Sequence, residues 1–250
     1  MAGVVLLGMG TKGLNVLMIG CALALMASAP ALPQQAQPYN IETFGVFRNL
    51  MMTGDFSAKV RLEDAMAKHP TTGVGALADA RGEITIYDGK LIVTYGQTGA
   101  SADANLASAA LLAMGSVAEW QSVRIDRDIA PSEIETFIAA TANAHGIDTQ
   151  KSFPFQVRGL LISYVMHINA EAAPGPHGMG LPMAITVERK GDDPIDSLVS
   201  GLYVSPDLVG VATHGGERTH AHWVALDKAS TAHLDQWGLR AGAFLMLPKR

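Results

Sequence analysis

One cysteine stands among the 250 residues, Cys21, and it lies inside an apolar N-terminal stretch. The rest of the chain therefore has no disulfides, no thiolate metal ligands and no cysteine nucleophile. Any metal it binds is held by nitrogen and oxygen. Charge is also scarce, at 16% of residues, and the balance is acidic, with a formal net charge of -5. Nucleic acid and anionic lipid both call for a basic footprint, so neither is an expected partner. The one basic cluster, Arg124 to Arg127, is interrupted by Asp126 and followed by Asp128, and reads as a solvated face. Past the N-terminal stretch there is no apolar run long enough to span a membrane, no internal repeat and no low-complexity tract.

The N-terminus reads as an address. Lys12 precedes a run from Leu14 to Met26 that is apolar apart from Asn15, and Ala27-Ser28-Ala29-Pro30-Ala31 follows. A charged start, a short apolar run and small residues describe a secretory signal peptide. Cleavage is expected after Ala31 or Ala36, with an uncleaved anchor as the alternative. The expected organisation is a signal peptide over 1–31, a polar lead-in over 32–40 and one domain over 41–250. The expected location is outside the cytoplasm, periplasmic or secreted, with no membrane attachment after cleavage.

Hydropathy patterning predicts a sheet-dominated α+β fold. A turn is expected over Met51 to Phe56, and a short helix over Leu62 to Ala67 that ends before His69-Pro70. Glu83, Thr85 and Tyr87 alternate with Ile84 and Ile86, and Asp88-Gly89 then makes a hairpin turn into Lys90 to Tyr95. Residues 103–119, rich in Ala and Leu, are expected to be helical. A second helix opens at Pro131-Ser132-Glu133 and stops near His145-Gly146. Strands are expected over Pro154 to Ile168, Ile185 to Glu188, Ser200 to Val204, Leu208 to Thr213, Ala221 to Leu226 and Ala243 to Leu247. Ala170 to Gly180 is expected to be a loop.

Chemistry concentrates in three of the eight histidines. His220 and His222 are two apart in Thr219-His220-Ala221-His222-Trp223, so on a strand both imidazoles face one way. Asp227-Lys228-Ala229-Ser230 supplies a turn, and His233 returns on the neighbouring strand. Three imidazoles and an open position make a zinc-type catalytic site, although imidazole alone does not select Zn2+ over other divalent ions. Ordinary surface histidines are the alternative, but an H-x-H pair with a third at the hairpin return is an uncommon coincidence. His214 and Glu217 lie just upstream, as a further ligand, as groups behind the ligands or as plain loop residues. His69, His145 and His177 fall in loop signals. His167, within an apolar strand, reads as a core histidine.

These residues resemble the α-acetolactate decarboxylases. The stretches concerned are Gly73-Val74-Gly75-Ala76-Leu77, Gly82-Glu83-Ile84 and Tyr87-Asp88-Gly89, then Pro154-Phe155 with its strand, then Gly201-Leu202-Tyr203 through the three histidines. The resemblance implies a mixed sheet packed on an antiparallel, barrel-like half that carries the three-histidine site. It also implies one Zn2+ held by His220, His222 and His233, Glu83 in the active site, a homodimer, and decarboxylation of a small 2-hydroxy-3-keto acid. Glu217 is the candidate second carboxylate. Three departures accompany it. Tyr164 to Asn169 contains no arginine where the family has one, the chain stops at Arg250 before the family's glutamate-bearing tail, and two residues are inserted before His220. Whether another arginine, Arg158 or Arg218, faces the metal instead is the observation that discriminates among the readings. The alternatives are a related metalloenzyme acting on another small oxygenated substrate, or a non-catalytic metal or ligand binder.

Overall fold

The computed structural model describes residues 39–96, 107–174 and 182–249. In chain order the elements are β1 (Tyr39–Phe44), α1 (Phe47–Thr53), β2 (Val60–Arg61), α2 (Leu62–Met66), β3 (Thr72–Leu77), β4 (Gly82–Tyr87) and β5 (Lys90–Tyr95). Then come β6 (Ser108–Val117), β7 (Trp120–Arg124), α3 (Ile134–Ala144), β8 (Phe153–Pro174), β9 (Pro182–Gly191), β10 (Ile195–Tyr203), β11 (Thr219–Val224), β12 (Thr231–Leu239) and β13 (Phe244–Pro248). Two sheets result. The first runs β1-β6-β3-β4-β5 with β2 beside β6, and the second runs β10-β11-β12-β8-β13-β7 with β9 beside β8.

Every pairing among the described strands is antiparallel, so the first sheet is antiparallel rather than mixed. In the second, β10 pairs with β11, β11 with β12 and β12 with one half of β8, while the other half of β8 pairs back with β10. The result is a partial ring, not a closed barrel. One long strand serves both sides because its backbone turns at Gly159 (φ 152°) and Ser163 (φ 47°). Its first half carries the core residues Phe153, Phe155 and Val157, and its second half carries His167 and Asn169 towards the site.

The Asp88-Gly89 hairpin forms as expected, with positive φ at both residues, the geometry of a two-residue turn matched to strand twist. Two of the three expected helices form as well, as α2 and α3. Residues 107–119 do not form a helix, and 103–106 lie outside the described residues. Ser108–Val117 is the central strand of the first sheet, buried along most of its length and paired on both edges. Leu112 and Met114 pack with Ile84, Ile86 and Val93, whereas Ala113 packs with Val74 and Leu202. A strand covered on both faces reads as a continuous apolar run, and tertiary burial here overrides helix propensity.

Three further expectations are corrected. Met51 to Thr53 belong to α1, which ends on Gly54 in the left-handed conformation (φ 63°). β8 continues through Ala170 to Pro174 because β9 supplies its ladder partners, and 175–181 lie outside the described residues. Leu208 to Thr213 coils instead of extending: the Val211 and Ala212 amides both donate to the Leu208 carbonyl, and Gly210 takes φ 74°. The expected signal segment and His177 also lie outside the described residues.

Buried polar side chains join the two sheets. The Ser200 hydroxyl donates to the Ile86 carbonyl at 2.8 Å, the Thr231 amide to Thr94 Oγ1 at 2.8 Å, and Gln156 Nε2 to Thr72 Oγ1 at 3.0 Å. Each of these groups would be costly to bury alone, so together they set how one sheet sits on the other. Within the first sheet, close backbone approach constrains Gly75. A Cβ there would lie 2.1 Å from the Leu111 carbonyl oxygen, so the β3–β6 contact requires glycine.

Candidate metal centre

Strand period and hairpin register bring the three histidines together. His220 and His222 point to one face of β11, while Ala221 between them points into the core of the second sheet. β12 returns through the Asp227–Ser230 turn, where Asp227 Oδ1 accepts the Ala229 amide and Lys228 takes φ 55°. His233 then stands directly opposite His222. Among the described residues these three form a buried set of converging ligand atoms. His222 Nε2 lies 3.2 Å from His220 Nε2 and 3.3 Å from His233 Nδ1. Two nitrogens of a tetrahedral zinc site, each at about 2.0–2.1 Å from the ion, stand about 3.3–3.4 Å apart. The spacing fits.

The hydrogen bonds behind the rings assign their tautomers. Thr231 Oγ1 donates to the Trp223 carbonyl, which can only accept, at 2.7 Å. Its single proton is then used, so Thr85 Oγ1, 2.6 Å away, donates to it. With its own proton used, Thr85 accepts from His222 Nδ1–H at 3.0 Å. His220 Nδ1–H likewise donates to the Ala212 carbonyl at 2.7 Å. Both Nε2 atoms therefore carry lone pairs, aimed at one another with no proton between them. Burial keeps the rings neutral: it holds His220 down to about 4, and His222 and His233 well below the ordinary histidine value. Opposed lone pairs at this distance repel unless a cation lies between them, so the donor set fits a divalent ion.

Glu83 reaches this centre from the other sheet. It is almost fully buried, Oε1 accepts the Asn169 amide at 2.9 Å, and Oε2 lies 3.8 Å from His222 Nε2. Burial pushes its carboxyl up to about 7, against the opposing pull of His167 and of the Asn169 amide. His167, expected to be a core residue, instead lines the same cavity. Its Nδ1 lies 2.8 Å from Asp235 Oδ2, and Asp235 Oδ1 is 3.8 Å from His233 Nε2. Burial works against a charge on His167, but the Asp235 bond and the Glu83 and Asp235 charges outweigh it and raise its pKa.

The cavity measures about 230 Å³, below the drug-sized range and suited to a small molecule. Phe47, Leu50, Met51, Phe56 and Leu111 form an apolar wall, facing Glu83, His167, Asn169, His220 and His233. His214 also lines it, packed on Phe47 with ring centroids 4.1 Å apart and 5.4 Å from the His233 ring, outside the converging set. Glu217 does not line it. The turn that bonds its amide to the His214 carbonyl leaves its side chain exposed in a separate groove with Glu135 and Thr219.

Neither Arg158 nor Arg218 lines the cavity. Arg218 stacks on Tyr203 at 4.5 Å and donates to the Val204 and Thr149 carbonyls, and Arg158 is exposed in another groove with Tyr87 and Asp88. Sequence reasoning missed Thr85, Asn169, His167 and Asp235. None of them carries a local motif; His167 alone had a signal, as an ionisable residue in an apolar strand.

No family model matches the sequence, and no curated protein does. Solved structures match its shape. An acetolactate decarboxylase from Bacillus subtilis subspecies spizizenii aligns with a TM-score of 0.65 at 13% identity, covering 84% of this chain and 86% of that one. The α-acetolactate decarboxylase of Bacillus subtilis strain 168 gives 0.64 at 13% identity, with the same coverage of 84% and 86%. A Staphylococcus aureus protein of unknown function, similar to α-acetolactate decarboxylase, gives 0.63 at 13% identity, covering 83% and 84%. At that identity the likeness shows the fold, which is acetolactate-decarboxylase-like.

Proposed function

We propose that the protein is a metal-dependent carboxy-lyase that decarboxylates a 2-hydroxy-3-keto acid of the acetolactate type. Glu83 carries this reading: a buried carboxyl that titrates near 7, with one oxygen tied to a backbone amide and the other 3.8 Å from a metal-facing nitrogen. His220 and His222 through Nε2, and His233 through Nδ1, would hold one divalent ion, Zn2+ in this reading. That ion would supply Lewis acidity to the substrate's hydroxyl and carbonyl oxygens.

The chain's own groups do the rest. Burial raises Glu83 towards neutrality in the metal-free protein, which makes Oε2 a group able to hold and deliver a proton. As the carboxylate departs as carbon dioxide, its bonding electron pair stays with the substrate, and the Glu83 proton satisfies the carbon that lost it. Solvent then returns a proton to Glu83. The Asn169 amide keeps Oε1 out of this exchange and so decides which oxygen works. The apolar wall of Phe47, Leu50 and Phe56 excludes water from the reacting carbon.

The observation that no arginine among the described residues lines the cavity favours a second reading, the same metal chemistry on another small oxygenated substrate. Carbon dioxide release from racemic acetolactate by the metal-loaded protein, beside His222→Ala and Glu83→Gln, separates the two. Turnover lost in both variants supports the decarboxylase, and bound metal without turnover removes it. We also read residues 1–31 as an export signal and the protein as an exported homodimer. N-terminal sequencing of the exported form and light scattering check these points.

A further inference from the structure

The triad and Glu83 leave two histidines of the cavity without a task, His214, which packs on Phe47, and His167. His167 stands directly opposite His233 on the neighbouring strand, with ring centroids 4.8 Å apart. Its Nδ1 is tied to Asp235 Oδ2 at 2.8 Å, and among the described residues no protein group pairs with Nε2. Asp235 sits at the point where the β12–β8 register shifts, between Leu234 and Gln236, a local kink that re-aims a side chain. Since a carboxylate accepts, Nδ1 of the neutral ring carries the proton and Nε2 keeps its lone pair. The cavity thus holds a fixed acceptor close to the candidate metal ligands, on a wall where the described residues offer no arginine or lysine.

We infer that His167 Nε2 accepts a hydrogen bond from the hydroxyl of a metal-chelating 2-hydroxy acid, with Asp235 as the positioning residue that sets the ring and its tautomer. This makes His167 the residue that selects hydroxylated over deoxy substrates. It rests on the metal site proposed above but not on decarboxylation. A site built to bond a substrate hydroxyl discriminates against the analogue that lacks it, because its own acceptor is left unpaired.

The test is calorimetric binding of two unreactive acids, 2-hydroxyisobutyrate and isobutyrate, to the zinc-loaded protein at mildly alkaline pH. The ratio of their affinities measures the hydroxyl's contribution. His167→Phe, which keeps a ring and removes both nitrogens, is expected to lower that ratio roughly tenfold, the worth of one hydrogen bond. Asp235→Asn is expected to lower it too, since its amide can donate to Nδ1 and leave Nε2 protonated. Zinc content and thermal unfolding verify that each variant is loaded and folded, with His167→Leu, which also offers no acceptor, as the replacement for a variant that is not. An unchanged ratio in loaded variants overturns the inference, as does failure of the wild type to bind either acid. A lowered ratio in a protein that releases no carbon dioxide removes the proposed reaction and leaves this inference standing.

Discussion

Glu83 belongs to one sheet and His222 to the other, and Glu83 Oε2 stops 3.8 Å from His222 Nε2. The carboxylate and the metal ligands thus meet only where the two sheets face each other. Because both residues are buried, their ionisation is governed by desolvation, which makes the acid hold its proton and the imidazoles lose theirs. Each shift can be read out separately.

Glu83 has a raised pKa, so in the metal-free protein its contribution to stability is fully present below 4.5 and is lost as pH rises through about 7. The difference between those values corresponds to roughly 3 kcal/mol. His220 works in the opposite direction: its folded pKa near 4 adds stability as pH rises from there to 6.5. Comparing wild type with Glu83→Gln cancels the histidine effect. In urea titrations of the metal-free proteins, the variant is expected to gain stability relative to wild type as pH rises from 4.5 to 7. A difference that stays flat over that range would show that Glu83 titrates normally.

Without an ion the lone pairs of His220 and His222 oppose one another. Adding Zn2+ at about a thousand times its dissociation constant is expected to raise folded-state stability by about 4 kcal/mol. His220→Ala and His222→Ala are each expected to abolish that gain. Scanning calorimetry with and without a chelator checks it.

Thr85 touches no metal in this scheme, yet it assigns the proton of His222. Thr85→Val keeps the volume and loses the hydroxyl. Zinc affinity is expected to fall about 10–100-fold while the fold persists, as measured by competition with a chromophoric chelator.

Gly75→Ala tests the backbone approach behind the cavity. The new Cβ would meet the Leu111 carbonyl oxygen at 2.1 Å, so β3 and β6 must part. A loss of roughly 1–3 kcal/mol or more is expected in chemical denaturation. Gly89→Ala serves as a comparison for turn strain alone, since a Cβ there meets nothing nearer than 3.8 Å.

Local rules made part of this molecule legible. Asp88-Gly89 demands a hairpin, the H-x-H pair shares a strand face, and Asp227 to Ser230 returns His233 beside it. All of these depend on residues within about a dozen positions of one another. Ser108–Val117 was misread for the complementary reason: Ala, Leu and Met carry little strand preference of their own, and only the pairing of β1 and β3 on its edges makes that segment extended.

By itself, then, the sequence determined the sheet-rich class, the nitrogen and oxygen character of any metal site, and the identity of the three converging imidazoles. Tertiary structure alone decided the rest. Thr85 reaches His222 across 137 residues, Asn169 reaches Glu83 across 86, and Asp235 reaches His167 across 68. No periodicity links positions so far apart. Only the packing of one sheet on the other, and the bend in β8, bring those groups within hydrogen-bonding distance and fix which of their atoms face the metal.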